Sequence, residues 1–187
     1  MIAQFLNIIL LSIKLDKSLY KESRYYSDAA IFFAALIILV TSLISILPNT
    51  FFLDYMATII GKVEPPRLAG VIIGGFIGWV LISCYLFFFG AILFPSKSTE
   101  KNFKKTMVVV GYAHSPLILN CLILKPSLFF IFGLTYIWYI LTLIVGLNQL
   151  YQYKNLIKST FLVTAPIILL IMYTILQIST LLTGTTS

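Results

Sequence analysis

Along the chain, long apolar runs without a single Lys, Arg, Asp or Glu alternate with short polar segments. The runs occupy 29–47, 68–94, 106–124, 126–147 and 161–184. Each is about as long as a helix needs to cross a hydrocarbon core of roughly 30 Å. A charge at the bilayer centre costs about 2.5–3.5 kcal/mol on insertion scales, so charge-free runs of this length are read as membrane spans. The pattern predicts an all-α membrane protein. It is a bundle of five transmembrane helices over 29–184, preceded by a cytoplasmic interfacial segment over 1–28.

Two further segments are apolar on one side only. MIAQFLNIILLSI is too short to span. It reads as an interfacial helix with Phe5, Ile9 and Ile13 toward lipid and Gln4, Asn7 and Lys14 on another face. Its lysines follow the apolar run and no small-residue cleavage pattern appears, so it is not read as a secretory signal. After Pro48, NTFFLDYMATIIGKV places Phe51, Phe52, Tyr55, Met56, Ile59, Ile60 and Val63 on one helical face. Asn49 or Thr50 caps its start, and Gly61 with Pro65 and Pro66 ends it. This is a second interfacial helix, on the non-cytoplasmic side.

Composition narrows the class further. Hydrophobic residues make up 60% of the chain and charged residues 10%, against about 25% charged in soluble domains. No segment between runs is long enough for a soluble catalytic domain. The net charge of +7 does not indicate nucleic acid, because the basic residues border the apolar runs. Lys14, Lys17, Lys21 and Arg24 precede the first run; Lys97, Lys101, Lys104 and Lys105 lie in the second loop, and Lys154 and Lys158 in the fourth. Only Lys62, Arg67 and Lys125 lie in the odd loops. Ten against three places the N-terminus and the even loops in the cytoplasm, or its topological equivalent, and the C-terminus opposite.

Within the runs, Gly70, Gly74 and Gly78 repeat every fourth residue with Gly75 beside them. Such a face lets another helix backbone approach. An intrachain partner is expected there, with a homodimer as the alternative; Gly90 lies off the repeat and is expected to matter less. The third run contains Gly111, Tyr112, His114, Ser115 and Pro116. Pro116 removes a backbone donor and bends the helix, and the opened carbonyls are expected to be met by Ser115 or by a neighbouring helix. His114 is the sole histidine. Metal or relay chemistry needs several partners, so His114 reads as structural, with packing and one hydrogen bond. Cys84 and Cys121 read as small packing residues rather than a disulfide. Gln177 is expected to hydrogen-bond another helix. There is no phosphate loop, dinucleotide fingerprint, HExxH or nucleophile elbow. The expectation is no enzyme, no cofactor and no metal.

In this order of elements, with the local match Gly111-Tyr112-Ala113-x-Ser115-Pro116, the chain resembles the Yip-type membrane proteins, named for interaction with Ypt/Rab GTPases. The likeness spans about residues 10–183. It implies five helices, a cytoplasmic N-terminus and a non-enzymatic scaffold or adaptor role on the bilayer with other membrane proteins, and it supplies no catalytic residues. Eukaryotic members bind Rab proteins partly through a long N-terminal region. Here only 1–28 precede the first run, so a Rab-type GTPase is implied only for a eukaryotic source. The short form is more like bacterial or plastid members and implies a bacterial inner membrane or plastid membrane rather than ER or Golgi. The alternative is a small-solute or ion permease, marked by a water-filled cavity lined by Tyr112, His114, Asn120, Tyr136 and Gln177.

Cysteines placed at Lys101 and Thr185, in a background lacking Cys84 and Cys121, are expected to label from opposite sides of the membrane. Labelling of both from one side removes the five-span arrangement.

Overall fold

The structure, a computed structural model, describes residues 2–21, 26, 29–46, 50, 68–96 and 99–184, with side chains 21, 126, 170, 171 and 174–184 left aside. The second amphipathic segment therefore lies outside the described residues except at Thr50, and so does the Gln177 side chain. The described residues are mostly helical, with no strand among them. Its elements are α1 (Ile2–Ile13), α2 (Ser18–Lys21), α3 (Ala30–Ile44), α4 (Leu68–Phe87), α5 (Phe103–Ala113), α6 (Phe130–Leu150) and α7 (Leu156–Gly184). A π-helical turn, Phe88–Leu93, extends α4, and 3₁₀ segments Ser115–Leu122 and Pro126–Leu128 link α5 to α6.

Two of these helices are long and apolar enough to cross a membrane: α4 with its π turn, Leu68–Leu93, and α6. The apolar helices α1 and α3, and the stretch Leu156–Leu169 of α7, are shorter. The third predicted run is not one regular helix. It leaves α-helical geometry at His114 and continues as a 3₁₀ segment.

α5 is the centre of the bundle. Asn102 caps it, its side-chain oxygen accepting from the Lys105 N–H at 3.2 Å. From Val108 to Ala113 every residue is buried. A helix apolar all round is stable only when neighbours cover all its faces. α3, α4 and α6 pack on it, with α1 against its end. α3 contributes the stripe Ala30, Phe33, Ala34, Ile37, Ile38, Thr41 and Ser42, whose three- and four-residue steps trace one helical face. α4 turns Trp79, Ser83 and Leu86 inward and leaves Ile73, Ile77, Leu81, Phe88 and Ile92 exposed. A continuous apolar exterior of this kind suits lipid rather than water.

The first helix differs from its sequence reading. α1 is docked on the bundle by the face expected to meet lipid. Ile8 and Ser12 are fully buried, and Phe5 packs on Phe33 with ring centroids 6.1 Å apart. Phe5 and Ile9 therefore face protein, and the outward stripe is Ile2, Leu6 and Leu10. A Schellman-type end closes the helix: the Asp16 N–H reaches the Leu11 carbonyl at 2.9 Å while Leu15 adopts φ 56°. The cysteines differ as well. Cys84 and Cys121 are free and outward-facing rather than packed inside.

Close helix approach also occurs elsewhere than expected. Among the described residues, a Cβ on Gly70, Gly74 or Gly78 meets nothing within 4 Å, whereas one on Gly75 collides with Ser42 of α3. The tightest backbone approach is at Gly111, where an added Cβ lies 2.5 Å from Ala34 Cβ and 3.0 Å from Ala34 Cα. Gly90, expected to matter little, faces the Tyr151 ring and lies 2.9 Å from Leu162 Cδ2 by the same construction. The four-residue repeat marks three open positions on α4. Periodicity alone does not reveal which glycine a neighbouring helix touches.

Gly111→Val is expected to lower stability in detergent by about 1–3 kcal/mol, because Ala34 backbone cannot yield. Gly74→Leu is expected to stay within about 0.5 kcal/mol of the parent. Thermal melts of both variants check this, and the reverse order moves the principal helix contact to the glycine repeat.

Candidate functional site: the proline junction

The residues singled out around Pro116 converge on one carbonyl. In a continuous helix, the N–H of residue 116 bonds a carbonyl one turn earlier; proline has none to give. The Tyr112 carbonyl is met instead by two hydroxyls. Ser115 Oγ donates to it at 2.8 Å and Ser12 Oγ at 2.7 Å. Ser115 is on the same strand of chain, but Ser12 comes from α1, one hundred residues away. The proline thus creates an acceptor and α1 docks by supplying a donor. Both serines are fully buried, where an unmet polar group is costly.

His114 lies beside this junction. Its Nδ1–H donates to the Val110 carbonyl at 2.7 Å, since a carbonyl can only accept. Its ring packs on Tyr139 of α6, with centroids 4.6 Å apart. Tyr112 is 1% exposed and Asn120 2% exposed. The Asn120 side-chain oxygen accepts from Thr135 Oγ1 at 2.6 Å, tying the 3₁₀ segment to α6. Gly111 opens the junction to α3, as described above. The five motif residues therefore sit together, while Gly70, Gly74 and Gly78 lie on α4, where an added Cβ meets no atom of the described residues within 4 Å. Of the residues expected to line a permeation path, Tyr112 and Asn120 are packed and Tyr136 is 40% exposed.

A second polar lock, missed by sequence reasoning, holds the other end of the bundle. The π turn widens the end of α4, with the Phe94 N–H reaching Phe89 O at 2.9 Å. Two phenols meet the carbonyls there. Tyr151 Oη donates to Leu86 O at 3.2 Å, and Tyr153 Oη donates to Gly90 O at 2.8 Å. The Thr106 hydroxyl lies 3.0 Å from Tyr151 Oη and brings α5 into the same lock. Gln152, at φ 51°, makes the left-handed turn that carries Tyr153 back toward α4, closed by the Tyr153 N–H on Asn148 O at 3.2 Å. Burial pushes the Tyr153 phenol up to about 12 and raises that of Tyr151 as well, so both remain donors at neutral pH. In the sequence, these tyrosines look like ordinary interfacial residues. The one available signal is Gly90, whose missing side chain leaves room for the Tyr151 ring.

Ser12→Ala is expected to cost about 1 kcal/mol, because Ser115 still serves the Tyr112 carbonyl. Removing both hydroxyls is expected to cost more than either single variant, since the buried Tyr112 carbonyl then loses both of its side-chain donors. In a Pro116→Ala background, the restored N–H is expected to reduce the Ser12→Ala penalty. A double-mutant cycle of melting curves measures this, and an unchanged penalty breaks the link between Pro116 and α1 docking.

Comparison with known proteins adds a family match. The model of the Yip1 domain matches residues 17–177. No curated protein and no solved structure matches the chain.

Proposed function

The chain belongs to the Yip1-domain family of membrane proteins, and from that membership we propose that it is a non-enzymatic, multi-pass scaffold or adaptor that organises partner proteins in the bilayer. The proposed crossings are α3, α4 with its π turn, α5 with the following 3₁₀ segment, α6 and α7. The third has the length required: eleven α-helical and eight 3₁₀ residues rise roughly 16 Å each, against a core of roughly 30 Å.

Orientation follows from the charge bias. Tyr20 and Tyr26 of the N-terminal segment, Glu100 and Lys105 of the second loop, and Gln149 and Gln152 near the fourth line one cavity of about 350 Å³. Lys105 Nζ pairs with Glu100 at 2.7 Å and lies 5.2 Å above the Tyr26 ring. The gathering of these segments at one end supports a common side for all three, which the basic bias makes cytoplasmic or stromal. In this reading the membrane is a bacterial inner membrane or a plastid membrane, and the partners are other membrane proteins or a second copy. A Rab-type GTPase joins them only in a eukaryotic setting.

The observation that carries the scaffold reading is the use made of the interior polar groups. Ser12, Ser115, His114 and Tyr151 all donate to backbone carbonyls, and Asn120 accepts from Thr135. Groups held in this way fix a bundle; a solute path needs groups free to exchange partners with cargo.

His114→Gln is expected to fold and to retain the membrane partners recovered by crosslinking from native membranes, and proteoliposomes of the parent are expected to show no pH-dependent flux. A flux that His114→Gln abolishes while folding and partner recovery stay intact replaces the scaffold with a permease.

A further inference from the structure

Three spaces follow one another along the seam between α4 and α7. The one farthest from the α6–α7 loop, about 380 Å³, is apolar and lies between Leu81 and Tyr85 on α4, Tyr139 on α6, and Val163 and Pro166 on α7. The middle one, about 540 Å³, shares Tyr85 and Pro166 with it and runs past Phe89 and Phe161 to Tyr153 and Lys158. The outermost, about 420 Å³, shares Tyr153 and Lys158 with the middle one and adds Ser96, Gln152, Lys154 and Asn155. Apolar lining thus gives way to polar lining in one direction along the seam. Among the described residues, the polar end holds two lysines and no carboxylate.

We propose that this seam binds one anionic phospholipid, with an acyl chain in the apolar groove and the phosphate between Lys154 and Lys158. Charge complementarity selects the occupant: an apolar trough ending in two cations matches a molecule with a long apolar tail and a negative head. The start of α7 at Leu156 adds the positive end of a helix beside the same lysines, and no acidic residue lies in its first turn. The groove opens sideways, with Phe94, Ile157, Phe161 and Leu169 exposed along its rim, which is the direction from which a lipid enters.

Its walls are fixed by contacts already described and by one more. Pro166 has no N–H to offer the Leu162 carbonyl one turn earlier, and Tyr85 Oη donates to that carbonyl at 3.2 Å. Tyr153, held by its bond to Gly90 O, divides the groove from the basic pocket, and Lys158 Nζ lies 5.8 Å above its ring. The lysine is thereby placed at the boundary where a phosphate would stand. This inference goes beyond the scaffold role and does not depend on it.

The test uses the purified full chain in detergent, titrated with dioleoyl phosphatidylglycerol, dioleoyl phosphatidylcholine or inorganic phosphate, and read by native mass spectrometry and thermal shift. The parent is expected to hold phosphatidylglycerol about tenfold more tightly than phosphatidylcholine. Lys154→Gln with Lys158→Gln is expected to bring the two within about twofold, while Lys101→Gln with Lys104→Gln leaves the preference intact. Ala165→Phe is expected to weaken both lipids by filling the groove. Equal retention of the two lipids by the parent overturns the proposal. So does an equal loss in the Lys101/Lys104 pair, which would make the preference a general surface field. A thermal shift with inorganic phosphate matching that with lipid would make the seam a free-anion site. A lipid-independent dimer that buries the groove would give it to a second copy.

Discussion

A helix in a membrane must satisfy its own backbone, and this bundle is organised around the places where its helices fail to do so. Pro116 leaves the Tyr112 carbonyl to Ser12 and Ser115. Pro166 leaves the Leu162 carbonyl to Tyr85. The widened turn at the end of α4 offers Leu86 and Gly90 carbonyls to Tyr151 and Tyr153. With no water in the hydrocarbon core to serve these acceptors, each must find a protein donor, and the donors lie on other elements.

Such bonds do more for arrangement than for bulk stability. Lipid tails are as apolar as the helix surfaces, so burial gives little preference for one packing over another. A single hydrogen bond between membrane helices averages only about 0.6 kcal/mol, but it has a direction and a defined partner. Ser12 meets the Tyr112 carbonyl only when α1 lies at one depth and one rotation. Trp79, donating from α4 to Met107 O of α5 at 2.9 Å, sets the register of those two helices in the same way. Dispersion then operates within the arrangement so chosen, most closely where Gly111 admits Ala34.

This economy has a functional side. Polar groups inside a membrane bundle usually mark a path for ions or solutes. Here Ser12, Tyr85, Tyr151, Tyr153 and Thr135 bond across elements, as the proposed scaffold role requires. The irregular points are also where the bundle departs from a plain set of rods. The π turn and Pro166 shape both walls of the seam that ends at Lys154 and Lys158.

The chain alone determined the class. Runs without charge over 68–94 and 126–147 have the length and composition of membrane helices, because the transfer cost of charges is read directly from composition and length. The short pattern from Gly111 to Pro116 pointed to the family and to a break in the third run, since proline lacks its donor in any setting. The freed carbonyls were expected to meet Ser115 or a neighbouring helix, and Ser115 does donate to the Tyr112 carbonyl; that Ser12 of α1 is the second donor was not legible. Ser12 is an unremarkable serine in a short apolar helix, and Tyr151 and Tyr153 look like interfacial tyrosines. The glycine repeat of α4 was legible as a pattern, but of its four members only Gly75 meets a described neighbour. Sequence periodicity reports which residues share a face of one helix; which helix stands opposite, at what rotation and depth, is set by directional bonds between segments far apart in the chain, and only the folded bundle brings those segments together.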